Sequence, residues 1–281
     1  MAPRPPHPTY KEWPLICHSE RILYKSLSDV VKIKPLADLH IGNAHCDERK
    51  ARAWIDKDPS CYFVGNGDLM DMVIASDAKR YRKSSDGTEG DDIVDEQIDK
   101  LYRWLEPHKD RILGLGTGNH EDAITKHSGT NPTKRLCQML GCKFLGYSWL
   151  LKVTLSAGGQ GGRSIVIRGH HGWGGGSRTL GADLTKYSKD MSYWDADVYL
   201  YGHVHKRQTD VVPRLGLAGQ NNKLVVRDQL IGITGTFLKT YSNTPDPTYA
   251  EIKGYPPVGL GGLVLNIKPQ KPIGVKMWFD N

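Results

Sequence analysis

Apolar and polar positions follow two rhythms along this 281-residue chain. The run VVKIKPLA, Val30 to Ala37, stops at Asp38, and CYFV, Cys61 to Val64, stops at Gly65-Asn66-Gly67; both predict buried strands that end in polar loops. Between them, Asp47 to Lys57 carries Glu, Arg, Lys and Ala around apolar Ala53, Trp54 and Ile55, which predicts a helix crossing from one strand to the next. This βαβ pattern recurs. Ile93, Ile98, Leu101, Trp104 and Leu105 fall near helical spacing, and Arg111 to Leu115 then gives a short strand before Gly116-Thr117-Gly118. Ser164 to Ile167 ends at Gly169-His170-His171, and Asp197 to Tyr201 ends at Gly202-His203-Val204-His205. Five predicted strands therefore deliver Asp, Asn and His residues at their C-terminal ends, where α/β sheets place ligand sites.

Trp149 to Leu155 and Ser164 to Arg168 read as a hairpin closed by Ala157 to Gly162, while Arg82 to Asp92 is a polar, glycine-containing stretch expected to form an exposed loop or lid. After Val212 come short β-like pieces, Lys223 to Val226, Gln229 to Thr234, Gly262 to Ile267 and Gly274 to Phe279. The expectation is one α/β domain over 1–281, with 1–10 flexible and 213–281 completing a second sheet. A composition of 38% apolar and 25% charged residues is that of an ordinary globular protein. No run approaches the roughly 18 apolar residues of a membrane span, and the proline-rich start lacks the apolar stretch of a signal peptide, so a soluble cytoplasmic protein without membrane contact is expected. Five scattered cysteines include no C-x-x-C pair, which argues against a disulfide framework or zinc ribbon. The net charge of +7 favours a polyanionic partner without identifying it.

Single short motifs carry little weight, since 11 histidines in 281 residues give an H-x-H by chance roughly 0.4 times. Weight comes from the ordered set Asp38-Leu39-His40, Gly67-Asp68, Gly118-Asn119-His120-Glu121, His170-His171-Gly172 and Gly202-His203-Val204-His205, each directly after a predicted strand. Carboxylates, an Asn carbonyl and imidazoles without thiolate suit two adjacent divalent ions such as Mn, Fe, Zn or Ni, with Mg a further candidate. An extended D-x-H would point Asp38 and His40 to one side, and the same period of two applies to His203 and His205. Asp68, with two oxygens, can bridge two ions. Such a pair lowers the pKa of a bridging water so that hydroxide can attack phosphorus in line, without a covalent enzyme intermediate.

In this order, D-x-H, GD, GNHE, a strand-terminal His-Gly and GHxH, the set resembles the calcineurin-like metallophosphoesterases over about Asp38 to His205. The stretches NGDLMD, GNHED, HHGWGGG, YGHVH and GTFLKTY further resemble members found in phages and bacterial genomes. The resemblance implies a four-layer α/β/β/α sandwich of two mixed sheets. It also implies two divalent metal ions, Mn2+ above all, one held by Asp38, His40, Asp68 and His205 and the other by Asp68, Asn119, His203 and one of His170 and His171. His171, directly before Gly172, is favoured, with His170 as the alternative. His120 is implied to face the substrate as a proton donor or charge stabiliser, and Glu121 to support its loop.

Gly174-Gly175-Gly176 with Arg178 reads either as a phosphate-holding loop or as a plain mobile turn. Trp173, in the same loop, could stack on a base. Lys206 reads as a phosphate contact or a solvated charge, and Tyr187, Tyr241, Tyr249 and Glu251 as candidates for the rim. The leading reading is a phosphodiesterase or nuclease acting on nucleic acid or nucleotides. The alternatives are a phosphomonoesterase for nucleotides or phosphoproteins, and a catalytically silent protein of the same fold that binds phosphate or nucleic acid; the complete motif set favours activity.

Overall fold

The computed structural model describes residues 17–74, 77, 92–159, 161–217, 223–242 and 247–280. The expected flexible N-terminus, 1–10, and all of the expected lid except Asp92 lie outside these residues.

The first βαβ unit forms as its pattern predicts: strand β2 (Val31–Leu36), helix α1 (Glu48–Asp56) and strand β3 (Tyr62–Asn66). Asp47 caps α1 by accepting from the Lys50 N–H at 3.0 Å, a contact of about 1 kcal/mol. The next helix, α2, spans Ile93–Leu105 and leads to β4 (Ile112–Gly116). Two helices that strand-oriented reading missed follow directly, α3 (Asn119–Ser128) and α4 (Pro132–Leu140). Both carry capping residues, Gly129 and Gly141 closing them at φ 69° and 70° and Asn131 with Pro132 opening the second, and α4 also buries Pro132, Leu136 and Leu140 at helical spacing. Strand β5 (Phe144–Gly146) then completes a run in which β2, β3, β4 and β5 lie parallel.

The other strands are β1 (His18–Leu23), the hairpin of β6 (Ser148–Ser156) and β7 (Arg163–His170), and β8 (Val198–Tyr201), with helix α5 (Ala182–Ser188) between the last two. Strand β9 (Arg207–Leu217) pairs antiparallel with β10 (Leu224–Thr236). The sequence pattern broke β10 into two pieces at Arg227-Asp228, but these residues continue the ladder opposite Arg214 and Pro213. Helix α6 (Tyr249–Lys253) and strands β11 (Gly261–Lys268) and β12 (Gly274–Asp280) complete the chain.

Among the described residues the strands form one mixed, hydrogen-bonded order, β1-β6-β7-β8-β10-β11-β2-β3-β4-β5, with β9 on β10 and β12 on β11. The two expected sheets are therefore joined. The end of β10 crosses over, Gly235 and Thr236 pairing with Gly262 and Gly261 of β11. Three apolar clusters organise the packing. The first places Trp54, Ile55, Ile98, Leu101 and Leu136 of the helices against Leu36, Phe63 and Leu115. The second packs strand against strand, with Ile33, Val64, Leu263 and Leu265 meeting Leu151, Val153, Ile165 and Val198. The third sets Tyr187 and Met191 on Tyr199, Tyr201 and Ile231. Val198 and Leu200 face the second cluster while Tyr199 and Tyr201 face the third, the period-two alternation of a strand buried on both sides. No described helix is long and apolar enough to cross a membrane.

Candidate metal centre

The C-terminal ends of β2, β3, β4, β7 and β8 bring the predicted site residues into one cluster. Asp38, His40 and His205 form one group of converging ligand atoms, and Asp68, His171 and His203 form another. His40 Nε2 lies 3.1 Å from His205 Nε2, which is 3.5 Å from Asp38 Oδ1. In the second group His171 Nε2 is 3.1 Å from Asp68 Oδ2. Asn119 Oδ1 sits between His171 Nε2 at 3.0 Å and His203 Nδ1 at 2.7 Å.

The doublet separates clearly. His171 is fully buried in the cluster, its Nδ1 donating to Asn66 O at 3.0 Å so that Nε2 turns inward. His170 points elsewhere; its Nδ1 accepts the Gly172 N–H at 2.9 Å and its ring packs against Trp173.

The extended-backbone argument for D-x-H is corrected by the structure. Asp38, His40, Asp68, His203 and His205 all adopt left-handed φ, between 48° and 72°, a region costly for residues with a Cβ. Side chains two apart converge here because tight turns redirect them. At His203 the Val204 N–H donates to Gly202 O at 2.9 Å, a three-residue turn. The turns interlock: Asp38 N–H donates to Gly67 O and His40 N–H to Asp68 O, each at 3.1 Å, while both Asp38 oxygens accept the His203 N–H at 3.0 and 2.9 Å. Two glycines allow this close approach: a Cβ on Gly118 would collide with Asp68 Oδ1, and one on Gly202 would lie 2.7 Å from Asp38 Oδ2.

Glu121 is a wholly buried brace. Its carboxylate accepts backbone N–H groups from Gly118, Asp68, Leu69 and Met70 at 2.7 to 3.1 Å. Asp71, which the motif reading passed over, has a comparable positioning role. It accepts from His40 Nδ1 at 3.1 Å and Asn43 Nδ2 at 3.1 Å, and its carbonyl accepts from His120 Nδ1 at 2.5 Å. The available signal was its place three residues after Asp68; pairing of Met70 with Ile41 and the Asp71 N–H donating to Ile41 O at 3.0 Å set it beside His40. His120 Nε2 then faces Asp68 Oδ2 at 3.9 Å; His120 also belongs to a third possible ligand group, with His40 and Asp71.

Protonation follows this crowding. Burial drives Asp38 up to about 7, aided by repulsion from Asp68. Burial also opposes charge on Asp68, yet neighbouring His171 and His120 hold it well below the usual carboxylate range. Burial alone would lower His171, but the Asp68 carboxylate outweighs it and raises the group to about 9. His203 is pushed down to about 4 by burial and the charge on His171.

The residues read as substrate contacts are placed differently. Arg178 donates to the carbonyls of Gly254, at 3.0 Å, and Lys253, so it pins the Gly174–Gly176 loop to α6 rather than reaching into the cluster. Lys206 is neither a free phosphate contact nor a solvated charge, being paired with buried Asp183 at 2.7 Å. Gly175 remains exposed and Trp173 is 38% exposed. Tyr187 is buried, its hydroxyl donating to Trp173 O at 3.4 Å. Tyr241 and Tyr249 stay exposed, and Glu251 caps α6 by accepting the Thr248 N–H at 2.8 Å.

No protein-family model and no curated protein matches the sequence. Among solved structures, the chain is similar to a conserved uncharacterized protein, a predicted phosphoesterase, of Streptococcus pneumoniae, at 11% identity and TM-score 0.35 over 89% of this chain and 90% of that one. It is also similar to Vps29 complexed with Zn2+ from Entamoeba histolytica, at 10% identity and TM-score 0.34 over 89% and 100% of the two chains. Vps29 of Chaetomium thermophilum gives 11% identity and TM-score 0.34 over 89% and 97%. At this level of likeness, function has to be argued from the site itself.

Proposed function

We propose that this chain is a calcineurin-like metallophosphoesterase of the phage and bacterial type, a dinuclear metal-dependent hydrolase of phosphodiesters in nucleic acid or nucleotides. The observation that carries the reading is the head-to-head approach of His40 Nε2 and His205 Nε2 at 3.1 Å beside Asp38, next to a second convergence on Asp68 and Asn119. Two neutral acceptor nitrogens at that distance repel unless a proton or cation lies between them. The donor set fits divalent ions, with hard carboxylates and an amide carbonyl, borderline imidazoles and no thiolate; Mn2+ is the favoured choice.

Asp38, His40 and His205 would hold one ion, and Asn119, His171 and His203 the other, with Asp68 shared. Bound there, such ions polarise phosphoryl oxygens and acidify water. The chain's own groups do the rest. Asp71 and the Asn66 carbonyl fix the tautomers of His40 and His171, leaving each Nε2 lone pair directed inward. Glu121 fixes the amides of residues 68–70. His120, tethered through Nδ1–H to the Asp71 carbonyl, presents Nε2, which in the imidazolium form is a proton donor for the leaving oxygen. The three apolar clusters support the four-layer α/β/β/α arrangement within one domain.

The test is hydrolysis of bis-p-nitrophenyl phosphate, p-nitrophenyl phosphate and short DNA by chelator-stripped protein before and after Mn2+ addition, with metal analysis. We expect about two ions per chain and a preference for diesters. Absence of both metal binding and turnover with every divalent ion tried would overturn the reading.

A further inference from the structure

Beside the cluster, the Trp173–Arg178 loop and α6 build a wall in which aromatic and cationic side chains alternate. Tyr249 is 65% exposed and Tyr241 48% exposed. Lys253 Nζ lies 5.8 Å from the Tyr249 ring centre, and the Arg178 guanidinium lies 5.8 Å from that of Tyr255. The Tyr249 and Tyr255 rings are 6.4 Å apart, and the Tyr241 hydroxyl donates to Tyr255 O at 2.9 Å, tying the three tyrosines together. The wall reaches the metal ligands: a side chain at Gly176 would meet both Tyr255 Cε1 and Val204 Cβ at 3.8 Å, and Val204 stands between His203 and His205. Trp173 continues it on the other side, against His170 at 5.0 Å.

We infer that this wall is a track for single-stranded nucleic acid leading into the metal centre. The inference rests on the hydrolase reading for what happens at the end of the track, though not for binding along it. Exposed rings offer flat faces to bases, and such stacking tolerates any sequence; a duplex keeps its bases stacked and presents mainly phosphates. Charge has the matching sign. The nearby acids are already engaged, Asp183 by Lys186, Lys206 and the Ser177 N–H, and Glu251 by the Thr248 N–H. Lys253, beside the Tyr249 ring, is thereby left to meet a strand's phosphates while Arg178 holds the loop against α6, in a chain of net charge +7.

The experiment is fluorescence anisotropy with a labelled twelve-residue oligothymidylate and chelator present, so that binding is read without turnover. We expect the strand to bind at least about tenfold more tightly than a duplex of equal length. Tyr249→Ala should weaken binding about 5- to 100-fold, the range for one lost base stack, while Tyr249→Phe restores it. Lys253→Ala should lower the salt slope by about one contact. Equal binding of duplex and strand, a neutral Tyr249→Ala, or no binding would each overturn the track. Protein that hydrolyses small diesters with Mn2+ but ignores the oligonucleotide ends this inference and keeps the hydrolase reading. Protein that binds with ring dependence yet hydrolyses nothing does the reverse.

Discussion

The candidate metal site and the β9–β10 ribbon invert the usual partition of side chains in opposite ways. In the site Asp38, His40, Asp68, Asp71, Glu121 and His171 are all no more than 2% exposed. On the ribbon Leu215, Leu217, Leu224 and Val226 are 63% to 72% exposed. Burying an unpaired charge would cost several kcal/mol, so the site spends its backbone N–H groups and neighbouring imidazoles on its carboxylates. The ribbon has no comparable demand, because its ladder runs unbroken from Leu224 opposite Leu217 to Thr234 opposite Arg207 and holds its shape through backbone pairing. Buried polarity is therefore concentrated where backbone amides and imidazoles can answer it, and exposed apolarity marks surface the fold itself does not require.

Substitutions should separate the two regions widely. Asp68→Asn should remove both metal retention and hydrolysis, a loss beyond the roughly 10²–10⁴ of a missing general acid; two retained ions with near-normal turnover would eliminate its shared role. His120→Asn should keep both ions and slow turnover by roughly 10²–10⁴, with a smaller loss for acidic nitrophenolate leaving groups than for nucleosides. Metal loss in that variant would instead make His120 a ligand, as its grouping with His40 and Asp71 allows.

Within the doublet, His171→Ala should weaken metal binding by roughly 10- to 100-fold or more, while His170→Ala leaves it near normal; the reverse order in metal titrations would exchange their roles. Protons compete with metal at this site. Asp38 and His171 have raised pKa values, about 7 and about 9, so each holds a proton below its value and loses it above. Metal uptake should accordingly release protons and tighten as pH rises from about 7 to about 9. Calorimetry in buffers of different ionisation enthalpy measures that release, and its absence would contradict the assignment. On the ribbon, Leu217→Ser should change turnover less than about twofold and stability by no more than about 0.5 kcal/mol. A larger fall in melting temperature would show that this surface is part of the fold's support.

Much of this organisation is legible in local sequence. The strands ending at Leu36, Asn66, Gly116, His170 and Tyr201, and helices α1 and α2, follow from apolar period and breaker residues, which act over a few positions. Helix α3 escaped because its apolar face is slight, α4 although Pro132, Leu136 and Leu140 keep helical spacing, and β9 because its ladder is completed by residues of β10 that follow it in sequence. By itself the sequence determined which residue types stand at the strand ends, and hence that carboxylates, an amide and imidazoles would share one edge. Only the tertiary structure decided how they meet. It bends Asp38, His40, Asp68, His203 and His205 into left-handed turns, puts His171 inside and His170 outside, recruits Asp71 and withdraws Arg178 to hold α6. Those outcomes depend on hydrogen bonds between loops up to 165 residues apart, such as the Asp38 carboxylate with the His203 N–H, and local pattern carries no information about partners so distant in the chain.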